Sequence, residues 1–260
     1  MASDRRIKLV DVPAGGPDIE FLFETSTTQK FTIGQRMCLT NGAVFHYAYA
    51  LTALVRNTIA GAATPLSGNN AGLVLGSGST AGAGGLAGAK TARVVCSATA
   101  ATKDQFAGGQ YVVSSHAVSL NSLQSVFIKS HNAAATGTEI VMELENPLLY
   151  NLDSASQGNL IPNPFYGVAA YAATSTAYPV GLAVTTVAAT SYCWLQTWGP
   201  NAAVCSGAPP KAGGGVSVGS TAGGVVTSTA NPALYPMIGF GGVKTGGASG
   251  LVSMFLTIMP

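Results

Sequence analysis

The sequence predicts an all-β protein: small β-barrel or sandwich modules, an extended N-terminal arm and long glycine-rich loops. Three observations predict it. Short runs rich in Val, Thr, Tyr and Ile recur along the 260 residues, each bounded by Gly, Asn, Ser or Pro. No helical pattern of three turns stands anywhere after Pro162. The composition is 47% hydrophobic and only 8% charged, with a mean hydropathy of +0.35, whereas disordered chains are hydrophilic and highly charged.

The elements follow in order. Residues 1–30 read as an arm, mixed in charge, broken by Pro13 and Pro17, and ending in the apolar run IEFLFE. Its basic cluster, Arg5, Arg6 and Lys8, and its aromatics Phe21 and Phe23 are the candidate contacts to a neighbour or to a larger assembly. Residues 31–163 are expected to form one β-rich domain. It opens with a hairpin whose arms are Met37–Thr40 and Ala43–Tyr49, joined by the turn signal Asn41-Gly42. Residues 61–89, dense in Gly, Ala and Ser, read as a long loop. The stretch GSGSTAGAGG within it lacks the GK[ST] that a phosphate loop needs, so a flexible connector is the better reading.

The middle of the chain is the clearest sheet text: TARVVCSATA, GQYVVSSHAV, QSVFIKSH and TEIVMELENPLL. In the last, Ile140, Met142 and Leu144 alternate with Glu139, Val141, Glu143 and Glu145, one face for a core and one for solvent. Glu143 and Glu145 fall about 7 Å apart along such a strand, a spacing that glycosidic carboxylates could use, but a solvated strand face explains them more simply. IPNPFYG, with Pro162 and Pro164, marks a boundary. Residues 164–260 are then a second barrel-like or sandwich-like domain, with strands in VGLAVTTVAA, SYCWLQTW, GGVSVG, GGVVTST, YPMIGF and the terminal LVSMFLTI, which is expected to close a sheet.

Charge excludes several chemistries. Five of the ten acids lie within the first 24 residues, and no Asp or Glu follows Asp153. The last 107 residues therefore lack local carboxylate pairs, carboxylate metal sites and Ser-His-Asp triads. A net charge of +2 with scattered basic residues does not make a nucleic-acid face. Residues Ser154 to Pro210 carry no charge, yet their Pro, Gly and Thr content argues against a spanning helix, so no membrane is expected as partner. The N-terminus shows no signal-peptide run, and a protein made and used without secretion is expected. Cys38, Cys96, Cys193 and Cys205 form no CxxC pair, and His46, His116 and His131 form no HxxxH spacing. No metal, cofactor or catalytic residue is assigned. Free thiols are expected, with a Cys193–Cys205 bridge as the alternative, and an enzyme using Cys193 or Cys38 with His116 or His131 has no local motif behind it.

SYCWLQTWGP, residues 191–200, holds both tryptophans of the chain. Strict alternation puts Tyr192, Trp194, Gln196 and Trp198 on one face and Cys193, Leu195 and Thr197 on the other. The strand is expected to end at Gly199-Pro200, and Tyr192, Trp194 and Trp198 are the candidate packing or subunit seam.

Four segments resemble a family of tailed-phage virion proteins, the head decoration or cement proteins. They are GGQYVVSSHAVSLNSLQSVFIKSH with TEIVMELENPLL, NLIPNPFYGV, SYCWLQTWGPNAAVCSG, and NPALYPMIGFGG with the last strand. The likeness spans roughly Phe106 to Ile258. It implies a noncatalytic, mainly β protein, made in the host cytoplasm, that binds the major capsid protein on the outer capsid surface, commonly as a homotrimer. A tail or fibre component or a surface-adhesion module is the alternative. The charge-poor composition fits a chain that hides much of its surface against partners.

Overall fold

The computed structural model describes residues 9–10, 19–63, 73–74, 85–96, 99–115, 124–152, 156–171, 178–206, 210, 212–219, 223–227, 236–245 and 250–259. Among them the chain is all-β, with a single short 3-10 turn, η1 (Ile19–Phe23). The strands are β1 (Leu9–Val10), β2 (Arg36–Leu39), β3 (Val44–Ala50), β4 (Ile59–Gly61), β5 (Leu73–Val74), β6 (Thr91–Val95), β7 (Gln110–Ser115), β8 (Ser125–His131) and β9 (Glu139–Leu144). They continue as β10 (Gln157–Ile161), β11 (Tyr166–Ala170), β12 (Pro179–Ala183), β13 (Ser191–Val204), β14 (Gly215–Val218), β15 (Val225–Thr227), β16 (Met237–Thr245) and β17 (Leu251–Thr257). The Asn41-Gly42 hairpin forms between β2 and β3 as its sequence predicts. Most of the loop expected over 61–89 lies outside the described residues.

Two compact units share the chain: Met1–Thr64 with Pro164–Pro260, and Pro65–Asn163. The boundary at the paired prolines agrees with the sequence, but the contiguous division into 31–163 and 164–260 does not hold. Residues 31–64 supply β2, β3 and β4, which pair with β11, β12 and β13 from the far end of the chain. The reason is burial. β3 is buried along both faces, so it needs partners and cover on both, and the nearby middle strands do not provide them.

The first unit is an eleven-stranded sheet in the order β1-β2-β3-β11-β4-β12-β13-β17-β16-β14-β15, with β3 also paired to β13. The pairings β3–β11, β11–β4, β4–β12, β12–β13 and β13–β3 return to their starting strand, a closed ring of five. A ring this narrow has little interior, and alanine fills it. Ala48, Ala50, Ala60, Ala62 and Ala183 pack there with Val168, Val180, Cys193, Leu195 and Phe165. The other faces of β3 and β13 carry Phe45, Tyr47 and Trp194 into a second, larger core with Met254, Leu256, Ile238 and Val216. β3 and β13 thus form a wall between two cores, which is why six of the seven residues of β3 and six of the seven from Ser191 to Thr197 on β13 are buried. The terminal strand β17 sits between β13 and β16, an interior position in the sheet.

The second unit is a six-stranded antiparallel sheet, β5-β10-β7-β8-β9-β6. Ile140, Met142 and Leu144 are buried as the alternation predicts, in one core with Val94, Ile128, Tyr111 and Phe106. The opposite face carries ion pairs, Arg93 to Glu139 at 3.3 Å and Lys129 to Glu143 at 2.6 Å. Exposed pairs of this kind contribute little stability but keep the face wet.

A candidate assembly surface

β13 begins as a wall strand and ends as an outer strand, and a bulge makes the change. Its register against β3 shifts between Gln196 and Trp198. Gly199 follows at φ +97, a left-handed conformation in which a Cβ would also lie 2.9 Å from Ala43 Cα, so only glycine fits. The strand then runs on through Pro200 to Val204 along β17, contrary to the expectation that Gly199-Pro200 ends it. Proline is tolerated because residues 199–204 ladder with β17 alone, leaving the missing amide no bond to break. Gln196, 2% exposed, braces the bend. Its Nε2 donates to the carbonyls of Trp198 at 3.0 Å and Pro200 at 3.1 Å, and its Oε1 accepts from Asn201 Nδ2.

The shift separates residues that alternation places together. Trp194 is 1% exposed, in the core with Tyr47 and Phe31, its ring centroid 5.1 Å and 5.5 Å from theirs. Tyr192 is half-buried, stacked on Tyr47 at 5.9 Å and tilted against Tyr49 at 4.9 Å. Trp198 is half-buried on the opposite, outer face, edge-on to Phe255 at 5.6 Å. The seam expected from Tyr192, Trp194 and Trp198 is therefore not one surface.

On the outer face Trp198 is joined by side chains that the sequence reading did not single out. Phe255 is 41% exposed, Phe240 48%, Met237 55% and Leu251 37%. Phe240 sits directly opposite Phe255, which is opposite Pro200. A further bulge, where Val216 faces Gly239 and Ser217 faces Met237, turns Met237 and Phe240 outward while Ile238 stays buried. The one available signal was LVSMFLTI, apolar on both of its alternating faces. Such a strand reads as buried on both sides, and here one side meets solvent.

The arm folds back on its own chain. β1 pairs with β2, and Ser26 bridges to Tyr192 through Ser26 N to Tyr192 O at 3.1 Å and Tyr192 N to Ser26 O at 2.7 Å. Leu22 is 2% exposed in the larger core. Phe21 packs edge-on to Phe31 with Lys30 Nζ over its ring at 5.3 Å, so it is an internal contact, while Phe23 is 60% exposed. Arg5, Arg6 and Lys8 lie outside the described residues.

Several of the groups weighed for chemistry can be placed. All four cysteines are free thiols. Cys193 points into the ring, where burial pushes its thiol up to about 12, far from a nucleophile's range. His131 is a neutral structural group: Nε2 accepts from Phe106 N at 2.9 Å and Nδ1–H donates to Asn132 O at 2.7 Å. His116 lies outside the described residues. Hydrogen bonds from Lys129 and Ser130 hold the Glu143 carboxyl below the usual range, opposite to the raised pKa a proton donor needs. Among the described residues no three His, Cys, Asp or Glu side chains converge.

His46 carries a measurable consequence. It is 6% exposed, stacked on Phe165 at 4.7 Å, with Nδ1 at 3.1 Å from Thr197 Oγ1. Burial, and then the nearby Arg36, lower its pKa from 6.5 to about 4. Because the folded value is the lower one, the unfolded chain binds a proton between those pH values that the folded chain does not. Stability is full above the unfolded value and is lost as pH falls toward the folded one, by on the order of 3 kcal/mol. His131, lowered by the same cause, acts in the same direction. The melting temperature is expected to drop over that interval, and His46→Gln to flatten the drop. An undiminished drop in the variant would remove His46 as its source.

No family model, curated protein or solved structure matches the chain.

Proposed function

We propose that this protein is a structural virion component, a decoration or cement protein that binds the outer surface of a phage capsid and stabilises the lattice of the major capsid protein. The observation that carries the reading is the outer face of β13, β17 and β16, where Phe240, Phe255, Met237 and Leu251 are exposed around the half-buried Trp198. A contiguous apolar patch of that kind is often a protein-protein contact surface. The two units differ in a way that suits the role. The part of the first unit drawn from Pro164–Pro260 carries only Lys211 and Lys244, which suits dense packing, while the second unit carries ion pairs across a solvated face. The resemblance over Phe106 to Ile258 names the kind of shell.

The test is to add purified protein to expanded capsids that lack it. The expected result is stoichiometric binding, density on the outside of the head, and a higher capsid melting temperature. Density confined to a tail, or no binding at all, would sink the reading. Deletion of residues 1–18, which spares Leu22, asks in the same assay whether the arm with Arg5, Arg6 and Lys8 contributes to occupancy.

A further inference from the structure

We infer that the outer face of β13, β17 and β16 is a self-association surface, occupied by the same face of a second copy related by a twofold axis. The inference rests on the assembly reading above and narrows it: the contact this face marks is one between copies of the protein, and the capsid contact falls to another surface.

Three features of the face argue for a copy of itself. The first is charge. Trp198, Pro200, Ala202 and Val204 on β13, Leu251, Ser253, Phe255 and Thr257 on β17, and Phe240 and Gly242 on β16 include no ionisable side chain. A partner chosen by charge would bring groups that this face cannot pair once water leaves, at a cost of several kcal/mol per buried ion. An identical face brings none.

The second is relief. Trp198, Pro200, Phe255, Phe240 and Met237 crowd one end of the face, where Pro200, Phe255 and Phe240 are direct cross-strand neighbours. Next along the strands the face is low: Ala202 lies opposite Ser253, and a Cβ on Gly242 would come within 2.4 Å of Ser253 Oγ, before Val204 and Leu251 at the far end. The face is an aromatic ridge beside a low row. A twofold axis lying in the interface, parallel to the sheets and across the strands, sets the ridge of each copy over the low row of the other. This contact is isologous and closes at two copies. It is also the ordinary way for two sheets to stack, about 10 Å apart with interdigitated side chains.

The third is size. Two phenylalanines near half exposure, with Met237, Leu251, Pro200 and part of Trp198, offer on the order of 400 Å² of apolar surface. A standard interface buries about 800 Å² per partner, a little over half of it apolar. The face therefore supplies the apolar core of one stable interface.

The homotrimer implied by the resemblance needs two different patches in contact. This geometry uses one patch twice, and mass distinguishes them. Sedimentation equilibrium of the full chain, without capsids, is expected to give a reversible dimer. Phe255→Ser is expected to raise its dissociation constant at least about tenfold, and Ala202→Arg, which loads the low row with charge, to do the same. Circular dichroism melts of both variants should stay close to the parent, since neither position is in a core. A parent that stays monomeric at every concentration, or a trimer, overturns the inference, as does a dimer that survives both substitutions with folding intact. Because capsids are absent, these outcomes are independent of the capsid-binding result. A monomer whose Phe255→Ser variant loses capsid binding would assign the face to the capsid protein instead.

Discussion

Trp194→Ala is expected to lower folding stability by about 3–5 kcal/mol, whereas Trp198→Ala should change it by less than about 1 kcal/mol. The two residues lie four apart in one strand and belong to the same sequence motif, yet one is 1% exposed between Phe31 and Tyr47 and the other stands on the outer face. Removing Trp194 leaves a cavity at the wall between the strap of residues 21–31 and β3, a site closed on several sides and slow to collapse. Trp194→Phe should recover more than half of the loss, since the indole Nε1 is buried without a protein acceptor and its removal breaks no hydrogen bond. Urea unfolding midpoints decide it. Each single variant keeps one tryptophan, so fluorescence follows the site that remains. Equal costs at 194 and 198 would contradict the bulge that separates them.

The second large effect is expected in the other unit. Gly158 on β10 lies under the ring of Tyr111, and an added Cβ would fall 2.2 Å from Tyr111 Cε2 and 2.7 Å from Cζ. Tyr111 is fully buried and its phenol has no hydrogen-bond partner, so the ring has no second place to settle. Gly158→Ala is therefore expected to cost about 3 kcal/mol, the upper range for overpacking a core. Tyr111→Leu on the Gly158→Ala background should return part of that cost, a coupling of at least about 1 kcal/mol in a double-mutant cycle. Additive costs, or an unchanged midpoint in the single variant, would show that the ring does not rest on the glycine.

These predictions mark where local sequence reasoning holds and where it stops. The strand TEIVMELENPLL folds with the faces its alternation assigns, because over six consecutive residues one side is wholly apolar and the other carries Glu139 and Glu143 beside Val141. SYCWLQTWGP follows its alternation only as far as Gln196. Beyond that, the register shift and Gly199 turn the strand over, and Trp198 changes sides. A bulge inserts one residue without altering composition, so period-two reading carries straight through it. Gln196 shows the same limit. Its amide holds the bend by bonding carbonyls two and four residues ahead, a contact that exists only once the chain has bent.

The sequence by itself determined the all-β class, the positions of most strands, the Asn41-Gly42 hairpin, the boundary at Pro162 and Pro164, and the poverty of charge. Each of these is written in windows of a few residues, where side-chain volume, β-branching and turn chemistry act on their neighbours. Only the tertiary structure decided that residues 31–64 join the far end of the chain, that five strands close on an alanine-filled ring, that His46 and His131 are buried neutral, and that the exposed aromatic face runs through Trp198, Phe240 and Phe255 and leaves Trp194 inside. Those outcomes depend on which distant strands bury which faces. That choice is made by the summed burial of the whole chain, and no local window contains it.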